Sequence, residues 1–422
     1  MQKIPFTGFD GFLLTLDKHY RKLNLEGNIC YYVIDLDREI SFYEFSDRIL
    51  SNSYLNDIHS LKAIKPNPIS KPFWVSTNKT NLIIEECESD EIIPLKVQAR
   101  KLTPDTSMLA FDLVKRSIGR SSVILSWHHL ILDGYGASLL LQHLFDVIDT
   151  MELYKKDNQI FNLSTFLSAA KAKFFIDRSS RSPISTLVSK KVEIKGFGKL
   201  RVLTFGQKEM QSIDASAIKN KARFGRSAYY LTCASRAVNA VLERRNQTVA
   251  NFWIPVPRDD RKKGAKGPLI GNRLSFLFYR ISNRNMLNIS DCVEAVNSQM
   301  LGQIKSKIPQ AYNHLMNYMK WLPLNIYLYL IKRRSGNSIA SFLFTIAADH
   351  PINLTDVCGS KITNALSIPA NPCPPGLTFA FMKFKDSLQL MMLYHQEAIS
   401  DEEIVFMEKH IHYELVNGKE YA

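Results

Sequence analysis

The feature that most constrains this chain is a pair of adjacent histidines, His128 and His129, followed by Asp133 and Gly134. Two apolar, partly alternating runs precede the pair, and the short turn between them predicts a β-hairpin. Apolar residues at helical spacing follow Gly134 and predict a helix. The strand runs are 107–115 and 121–127, and the helical positions are Leu140, Leu144, Val147, Ile148 and Met151. The histidines are therefore predicted to end a strand and to begin a loop that leads into a helix.

The spacing of these four residues favours chemistry over packing alone. A neutral imidazole, with an ordinary pKa of about 6.5, can take a proton from a hydroxyl or an amine at neutral pH without a metal. The structural interpretation is that Asp133 only caps a helix, Gly134 only permits a turn, and the histidines only pack at a strand end. For a single histidine that interpretation would prevail. Four fixed residues over seven positions should arise by chance only about once in two thousand such chains, which favours the functional interpretation.

The motif resembles the signature of the acyltransferase superfamily that includes chloramphenicol acetyltransferase, the condensation domains of peptide synthetases and bacterial wax ester synthases. The resemblance implies an α/β fold of two chloramphenicol acetyltransferase-like lobes, each a mixed sheet covered by helices, with the active-site channel between them. It implies that His129 is the general base and that His128 and Gly134 support it. Asp133 would point away from the substrate and hold the loop through an arginine.

Three further segments are similar to members of the same superfamily. Residues 5–13 resemble the start of wax ester synthases, and residues 271–275 resemble their Gly-Asn segment. A strand predicted over 251–256 ends in a proline and Arg258, as in the second lobe of the superfamily, which makes Arg258 the first candidate partner of Asp133. The candidates for the wall of the substrate channel are Trp127, Gly271, Asn272 and Ser275.

The length indicates two lobes, because 422 residues exceed the usual size of a single hydrophobic core. The periodicity fades in a stretch rich in lysine, serine, arginine and single glycines, which is predicted to be a linker. The predicted organisation is an N-terminal lobe at 1–178, a linker at 179–200 and a C-terminal lobe at 201–422.

The second half of the chain repeats the order of hairpin, histidine and helix. Strands predicted over 377–384 and 388–394 precede His395, and a capping box at 400–403 opens a final helix. His395 has no Asp-Gly partner and is assigned a structural role. The remaining predicted elements are a strand over 28–36 and helices over 42–49, 207–220 and 227–243.

The net charge of +14 favours an acidic partner, such as a nucleic acid, a membrane surface, a CoA-like phosphate ligand or an acidic carrier protein. No basic repeat, zinc pattern or RNA-binding aromatic motif is present, so nucleic acid is not predicted. The basic loop at 261–267 could meet a phosphate of CoA or of a carrier-bound pantetheine, although such runs are more often solvated loops. The six cysteines show no pairing pattern and are predicted to be free thiols in a reducing compartment.

A cytoplasmic protein is the default, because no apolar run reaches the length of a membrane span and the apolar run near the N-terminus is too short for a signal peptide. An apolar segment at 321–331 is followed at once by the basic residues 332–334. We expect a buried helix that lines the acyl channel, because the segment is apolar on every side. The alternative is peripheral contact of residues 321–334 with the inner face of the membrane.

The predicted function is transfer of an acyl group from acyl-CoA, or from a phosphopantetheine-linked acyl group on a carrier protein, to a small-molecule alcohol. His129 would act as the base, with no metal and no permanently bound cofactor. Serine hydrolase chemistry is disfavoured because the G-x-S-x-G elbow does not occur in the sequence. The alternatives are a free-standing condensation enzyme that joins the acyl group to an amine acceptor, and a catalytically silent module that only binds a carrier protein.

Overall fold

The structure is a computed structural model that describes residues 3–23, 25, 27–65, 72–77, 82–145, 147–155, 161–181, 183–188, 196–262, 264–331 and 338–421. The strands are β1 (Lys3–Pro5), β2 (Ile29–Leu36), β3 (Leu61–Ile64), β4 (Phe73–Ser76), β5 (Ile83–Glu88), β6 (Leu109–Arg116), β7 (Arg120–His128), β8 (Lys199–Phe205), β9 (Asn251–Asp259), β10 (Leu274–Ser282), β11 (Leu343–Ile346), β12 (Asp356–Val357), β13 (Ser360–Ile368), β14 (Leu377–Phe384) and β15 (Ser387–Tyr394). The helices are α1 (Gly8–Arg21), α2 (Phe42–Leu50), α3 (Ser53–His59), α4 (Leu95–Gln98), α5 (Gly134–Leu144), α6 (Leu163–Ser179), α7 (Gln207–Lys219), α8 (Ser227–Arg244), α9 (Asn283–Met286), α10 (Ile289–Lys305), α11 (Ile308–Met319), α12 (Leu324–Ile331) and α13 (Asp401–Asn417).

The first lobe is built on a six-stranded sheet in the order β12-β13-β2-β7-β6-β5. Only β5 and β6 pair in parallel, so the sheet is mixed, as predicted. The hairpin of β6 and β7 is confirmed, and Gly119, at φ +68°, supplies the left-handed backbone of its turn. Strand β7 is buried along nearly its whole length, which suits a central strand covered on both faces. The histidine motif therefore follows a central, buried strand of the lobe.

The second lobe contains a four-stranded sheet in the order β11-β14-β15-β8 and a separate antiparallel pair, β9 and β10. Helices α7, α8, α10 and α13 enclose a second apolar core against these strands. The predicted hairpin of β14 and β15 is confirmed, as is the capping box in which Ser400 and Glu403 open α13. The mixed α/β architecture with two lobes is therefore the one that the motif implied.

The six-stranded sheet of the first lobe also contains strands from the C-terminal part of the sequence, β12 and β13. Strand β13 pairs with β2, so that Leu366 lies beside Val33 in the sheet of the first lobe. The predicted linker at 179–200 spans the connection from the end of α6 to the start of β8, of which 182 and 189–195 lie outside the described residues. The assignment of 1–178 and 201–422 to separate lobes stays a prediction.

Two predicted boundaries differ from the structure. Helix α5 ends at Leu144, although the apolar period continued to Met151, because the backbone leaves the helical conformation at Phe145. Met151 is nevertheless buried, so the period reflected burial of a connecting segment. Strand β9 runs to Asp259 and does not end before Pro257. Its prolines have no N–H to donate, and the strand tolerates them because they lie on the side that faces away from its partner, β10.

Candidate active site

His128 anchors the motif inside the first lobe. Its Nδ1 accepts a hydrogen bond from the backbone N–H of Leu130 (3.2 Å), so Nε2 carries the proton and donates to Asp17 Oδ1 (2.9 Å). Burial opposes ionisation of Asp17, but the hydrogen bonds from His128 and Arg21 outweigh it and lower the pKa of Asp17 to about 2. His128 has no exposed surface, and both of its ring nitrogens are engaged within the protein, so its supporting role stays a prediction that these contacts favour.

His129 is held at the next position with one ring nitrogen left for chemistry. Its backbone N–H donates to Asn28 O (2.7 Å), and its Nδ1 lies 2.9 Å from Asn272 Oδ1. The Asn272 amide nitrogen donates to His129 O (2.9 Å) and to Leu130 O (3.2 Å), which assigns the other amide atom as the acceptor. Nδ1 of His129 therefore carries the proton, and Nε2 keeps its lone pair.

The pKa of His129 is lowered by burial, against the opposing effects of its backbone hydrogen bond, of Asp133 and of Asn272. The ring is thus neutral at neutral pH. A neutral imidazole with a free Nε2 is the state that a general base requires.

Asn272 is fixed by a carboxylate from the start of the chain. Asp10 Oδ1 accepts from the Asn272 backbone N–H (2.9 Å) and from its side-chain amide (3.0 Å), while Thr7 and Asp10 form the capping box of α1. Burial raises the pKa of Asp10, although bonds from Asn272 and Thr7 oppose the rise. Gly271, at φ +87°, brings the backbone close enough that an added Cβ would lie 3.3 Å from Asp10 Oδ2. The start of α1 therefore supports the amide that orients His129.

Asp133 holds the loop, but its partner is Arg261 and not Arg258. Asp133 Oδ1 caps α5 by accepting from the Gly136 N–H (2.8 Å), and Oδ2 accepts from Arg261 Nη1 (2.8 Å) and from the backbone N–H of Arg273 (2.9 Å). Arg258 is half-exposed and 3.8 Å from Asp260. The prediction was wrong because β9 continues past Arg258, so the first arginine able to turn toward Asp133 lies beyond the strand.

The other predicted site residues have supporting contacts. The indole N–H of Trp127 donates to Leu132 O (3.1 Å), so this buried residue braces the motif loop, and its place on the channel wall stays a prediction. Ser275 donates to Asp260 Oδ1 (2.7 Å) and is likewise buried. Gly134 is the first residue of α5. Of the four proposed channel residues, Asn272 borders a cavity, and Gly271 packs on the α1 cap.

An apolar cavity opens beside His129. Its wall on α1 is formed by Phe9, Phe12, Leu13 and Leu16, one face of that helix. Aromatic and aliphatic side chains complete the lining, among them Trp253, Phe276, Phe278, Tyr312, Leu315, Met316, Met319, Leu330 and Ile331. A space of this composition suits a hydrocarbon chain, and it places that chain next to the His129 ring.

Two more cavities adjoin the apolar one at opposite ends of α1. The cavity at the N-terminal end of α1 is bordered mainly by polar side chains and is called the polar cavity; it shares Phe9 with the apolar cavity. The third cavity, at the C-terminal end, shares Tyr20, Pro369 and Pro372 with the apolar cavity. The rise of an α-helix places Phe9 and Tyr20 about 16 Å apart along the axis. The three cavities therefore lie in sequence along one helix, with His129 lining the middle one.

Helix α12 was expected to be buried on every side, and that was only partly right. Leu324 and Tyr327 are buried, and Leu330 borders the apolar cavity, but Ile326 and Tyr329 are 50% and 79% exposed. The basic residues 332–334 lie outside the described residues. No helix in the described part of the chain is long and apolar enough to cross a membrane.

Solved structures of the same architecture align with almost the whole chain. The trichothecene 15-O-acetyltransferase from Fusarium sporotrichioides aligns with a TM-score of 0.72 at 10% identity, covering 99% of this chain and 96% of that one. The first condensation domain of the calcium-dependent antibiotic synthetase aligns with a TM-score of 0.68 at 12% identity, covering 99% and 97%. This chain has the condensation-domain and CoA-dependent acyltransferase fold. The sequence itself matches no protein-family model and no curated protein.

A third structure of this fold contains ligands. The starter condensation domain of rhizomide synthetase, in complex with C8-CoA and Leu-SNAC, aligns with a TM-score of 0.66 at 13% identity, covering 99% of this chain and 94% of that one. At identities of 10–13%, these structural alignments establish the shared fold alone.

Sequence reasoning missed the roles of Asp10 and Arg261. The apolar stripe of α1 was a signal in the sequence, because residues 9, 12, 13, 16 and 20 recur at helical spacing. The contacts of Asp10 with Asn272 and of Arg261 with Asp133 join residues far apart in sequence.

Proposed function

We propose that this protein transfers an acyl group from a thioester to a hydroxyl acceptor, with His129 as the general base. As the acceptor oxygen attacks the thioester carbonyl carbon, Nε2 of His129 takes the hydroxyl proton. The tetrahedral intermediate then collapses, the carbon–sulfur bond breaks, and the proton passes from Nε2 to the leaving thiolate. No covalent acyl-enzyme and no metal are needed.

The observation that carries this proposal is the fixed tautomer of His129 at an apolar cavity. Its Nδ1–H is taken by Asn272, which leaves Nε2 as the basic atom. The lining of aromatic and aliphatic side chains supports an acyl chain as the group transferred. An apolar lining also disfavours bound water, which supports transfer to an alcohol over hydrolysis.

The polar cavity supports a phosphate-bearing donor, either acyl-CoA or a phosphopantetheine-linked acyl group on a carrier protein. Lys155, Lys262 and Arg273 border it, and the net charge of +14 favours either acidic partner. The basic loop at 261–267 contributes Arg261 and Lys262 to this cavity, although Arg261 is committed to Asp133. Lys263 lies outside the described residues. The donor is a co-substrate, so no permanent cofactor is proposed.

Formation of an amide by a free-standing condensation enzyme is the second candidate, favoured by the alignment with condensation domains. The same base would then take the proton of an amine. A catalytically silent carrier-binding module is a third candidate, and the complete set of contacts around His129 argues against it.

We also propose a cytoplasmic location with peripheral contact at the inner face of the membrane through 321–334. Exposed Ile326 and Tyr329 on α12 support that contact, since an interfacial helix presents apolar side chains outward. Flotation with anionic vesicles at low salt tests it. Protein that stays at the bottom of the gradient would contradict membrane contact.

The test of the main proposal is incubation with acyl-CoA and acyl-carrier donors together with alcohol and amine acceptors, analysed by mass spectrometry. Thiol release that depends on an alcohol, with formation of an ester, supports O-acyl transfer. Product with amines alone would move the assignment to amide formation. Tight carrier binding without turnover of any pair would support the silent module.

A further inference from the structure

Helix α6 carries its large apolar side chains on the outside. Four of its exposed side chains are Leu163, Phe166, Leu167 and Phe174. The two leucines and Phe174 recur at the spacing of one helix face. The side chains that α6 buries against the rest of the protein are smaller, namely Ala169, Ala172 and Ile176. Because exposed apolar residues are normally single and scattered, four on one helix indicate a surface that binds a partner.

An aromatic group extends this face of α6 toward α12. The ring of Phe161, which lies just before α6, is centred 5.0 Å from the ring of Tyr318 and 5.8 Å from that of Trp321. The rings of Phe166 and Tyr318 are 6.0 Å apart. Tryptophan and tyrosine are the side chains most enriched where water meets lipid. The outer face of α6, together with Phe161, Tyr318 and Trp321, is called the α6 surface.

The charge around the α6 surface is almost entirely positive. Residues 161–181 and 303–331 include seven lysines and arginines and a single acidic residue. Lys171 donates to the backbone carbonyl oxygen between Lys305 and Lys307 (2.7 Å), which brings these exposed lysines beside α6. A second copy of this chain would bring the same positive charge to the contact, so self-association is disfavoured. An anionic lipid surface attracts that charge and also accepts the apolar side chains.

The helices of the α6 surface also form part of the wall of the apolar cavity. Lys173 on α6, and Leu330 and Ile331 on α12, border this cavity, and each is partly exposed. The cavity therefore reaches the protein surface at these helices. Because His129 lines the same cavity, an apolar molecule that enters there can arrive next to the base.

We infer that the α6 surface lies on an anionic lipid bilayer, and that the apolar cavity takes its acceptor, a long-chain alcohol, from that bilayer. The leucine and phenylalanine side chains enter the outer part of the bilayer, while the neighbouring lysines meet the headgroups. This contact adds a second helix to the one proposed at 321–334. The identity of the acceptor rests on the proposed acyl transfer, whereas the docking of α6 does not.

The first experiment is flotation of the full chain with vesicles of phosphatidylcholine and phosphatidylserine at low salt. The triple variant Leu163→Gln, Leu167→Gln and Phe174→Gln should bind at least about tenfold more weakly than wild type, because each apolar side chain transferred to lipid contributes about that factor. The matched control changes three side chains that are similarly exposed elsewhere, and it should bind like wild type. The control substitutions are Tyr43→Gln, Ile218→Gln and Ile352→Gln. Unchanged melting temperatures show that both triple variants are folded.

The contribution of charge is measured with the double variant Lys305→Gln and Lys307→Gln. Its binding to the anionic vesicles should fall by about fivefold for each lysine removed. Wild-type protein that floats equally well with vesicles of phosphatidylcholine alone would overturn the assignment to an anionic bilayer. Equal flotation of the α6 triple variant and the control variant would overturn the α6 surface. A wild-type dimer in solution that the α6 triple variant converts to a monomer, with vesicle binding unchanged, would assign the surface to a second copy.

A turnover measurement tests the source of the acceptor. With octanoyl-CoA as donor, the α6 triple variant should acylate hexadecan-1-ol dissolved in anionic vesicles at least about tenfold more slowly than wild type, in proportion to its lost binding. Octan-1-ol in buffer without vesicles should react equally with both proteins, because α6 docking is then not required. Equal rates with the vesicle-bound alcohol would overturn the bilayer as its source. If wild type releases no CoA with either alcohol, acyl transfer and this acceptor are overturned together, and flotation alone decides the α6 surface.

Discussion

Replacing Asp133 with alanine should lower the free energy of unfolding, because it breaks a buried ion pair. Asp133 and Arg261 are joined at 2.8 Å, with side chains only 1% and 3% exposed. Removing one partner of a buried ion pair costs about 3–5 kcal/mol, because it leaves the other charge uncompensated. Arg261 keeps Asp259 at 3.2 Å and Pro268 O at 3.0 Å, which places the expected loss near the lower end of that range.

The assay is thermal unfolding. For 422 residues, the unfolding entropy is about 0.9 kcal/mol/K, so a loss of about 3 kcal/mol lowers the melting temperature by about 3 °C if the protein unfolds in one step. Arg261→Ala should give a shift of similar size, and the double variant should lose less than the sum of the two single variants. Arg258→Ala is the matched control, since this exposed arginine should change stability by no more than about 0.5 kcal/mol. Equal shifts for Arg258→Ala and Arg261→Ala would refute the assignment of the partner.

Four further predictions concern the histidine motif and the residues that contact it. His129→Ala should lower turnover by about a hundred- to ten-thousandfold with little change in melting temperature, and near wild-type turnover in folded protein would contradict its role as the base. His128→Ala should cost less turnover and lower the melting temperature instead, because it leaves Asp17 without one buried partner. Asn272→Leu should lower kcat by at least about tenfold, since Nδ1 of His129 loses its acceptor; an unchanged kcat would separate the amide from the reaction. Because burial lowers the pKa of His129, the acid limb of a kcat/KM profile should fall below pH 6.5; a limb above that value would contradict a desolvated base.

Local patterns predicted the parts of this fold that depend on neighbours in sequence. The β6–β7 hairpin and the capping box at Ser400 each follow from spacing within about a dozen residues. The motif located His129 and indicated that Asp133 would be buried and paired. It could not identify Arg261, because the choice between two nearby arginines depends on where β9 ends.

Contacts between distant segments escaped prediction for a related reason. The hydrogen bonds of Asp10 with Asn272 join the first helix to a loop 262 residues away, and no local period records such a pairing. His395 was assigned a structural role from the absence of an Asp-Gly partner, and the structure adds a contact that the sequence could not show, 3.0 Å between its Nε2 and the carbonyl oxygen of Asn371.

The pairing of β13 with β2 also determines when the sheet of the first lobe can be completed during translation. Strand β2 lies in the middle of its sheet, but Leu36 finds its neighbour Ile362 only after roughly 320 more residues have been translated. At about 5–20 residues per second, the ribosome needs roughly 16–64 s to supply them. Throughout that interval the nascent chain carries an apolar strand with an open edge, the form of intermediate most exposed to misassembly and to capture by chaperones.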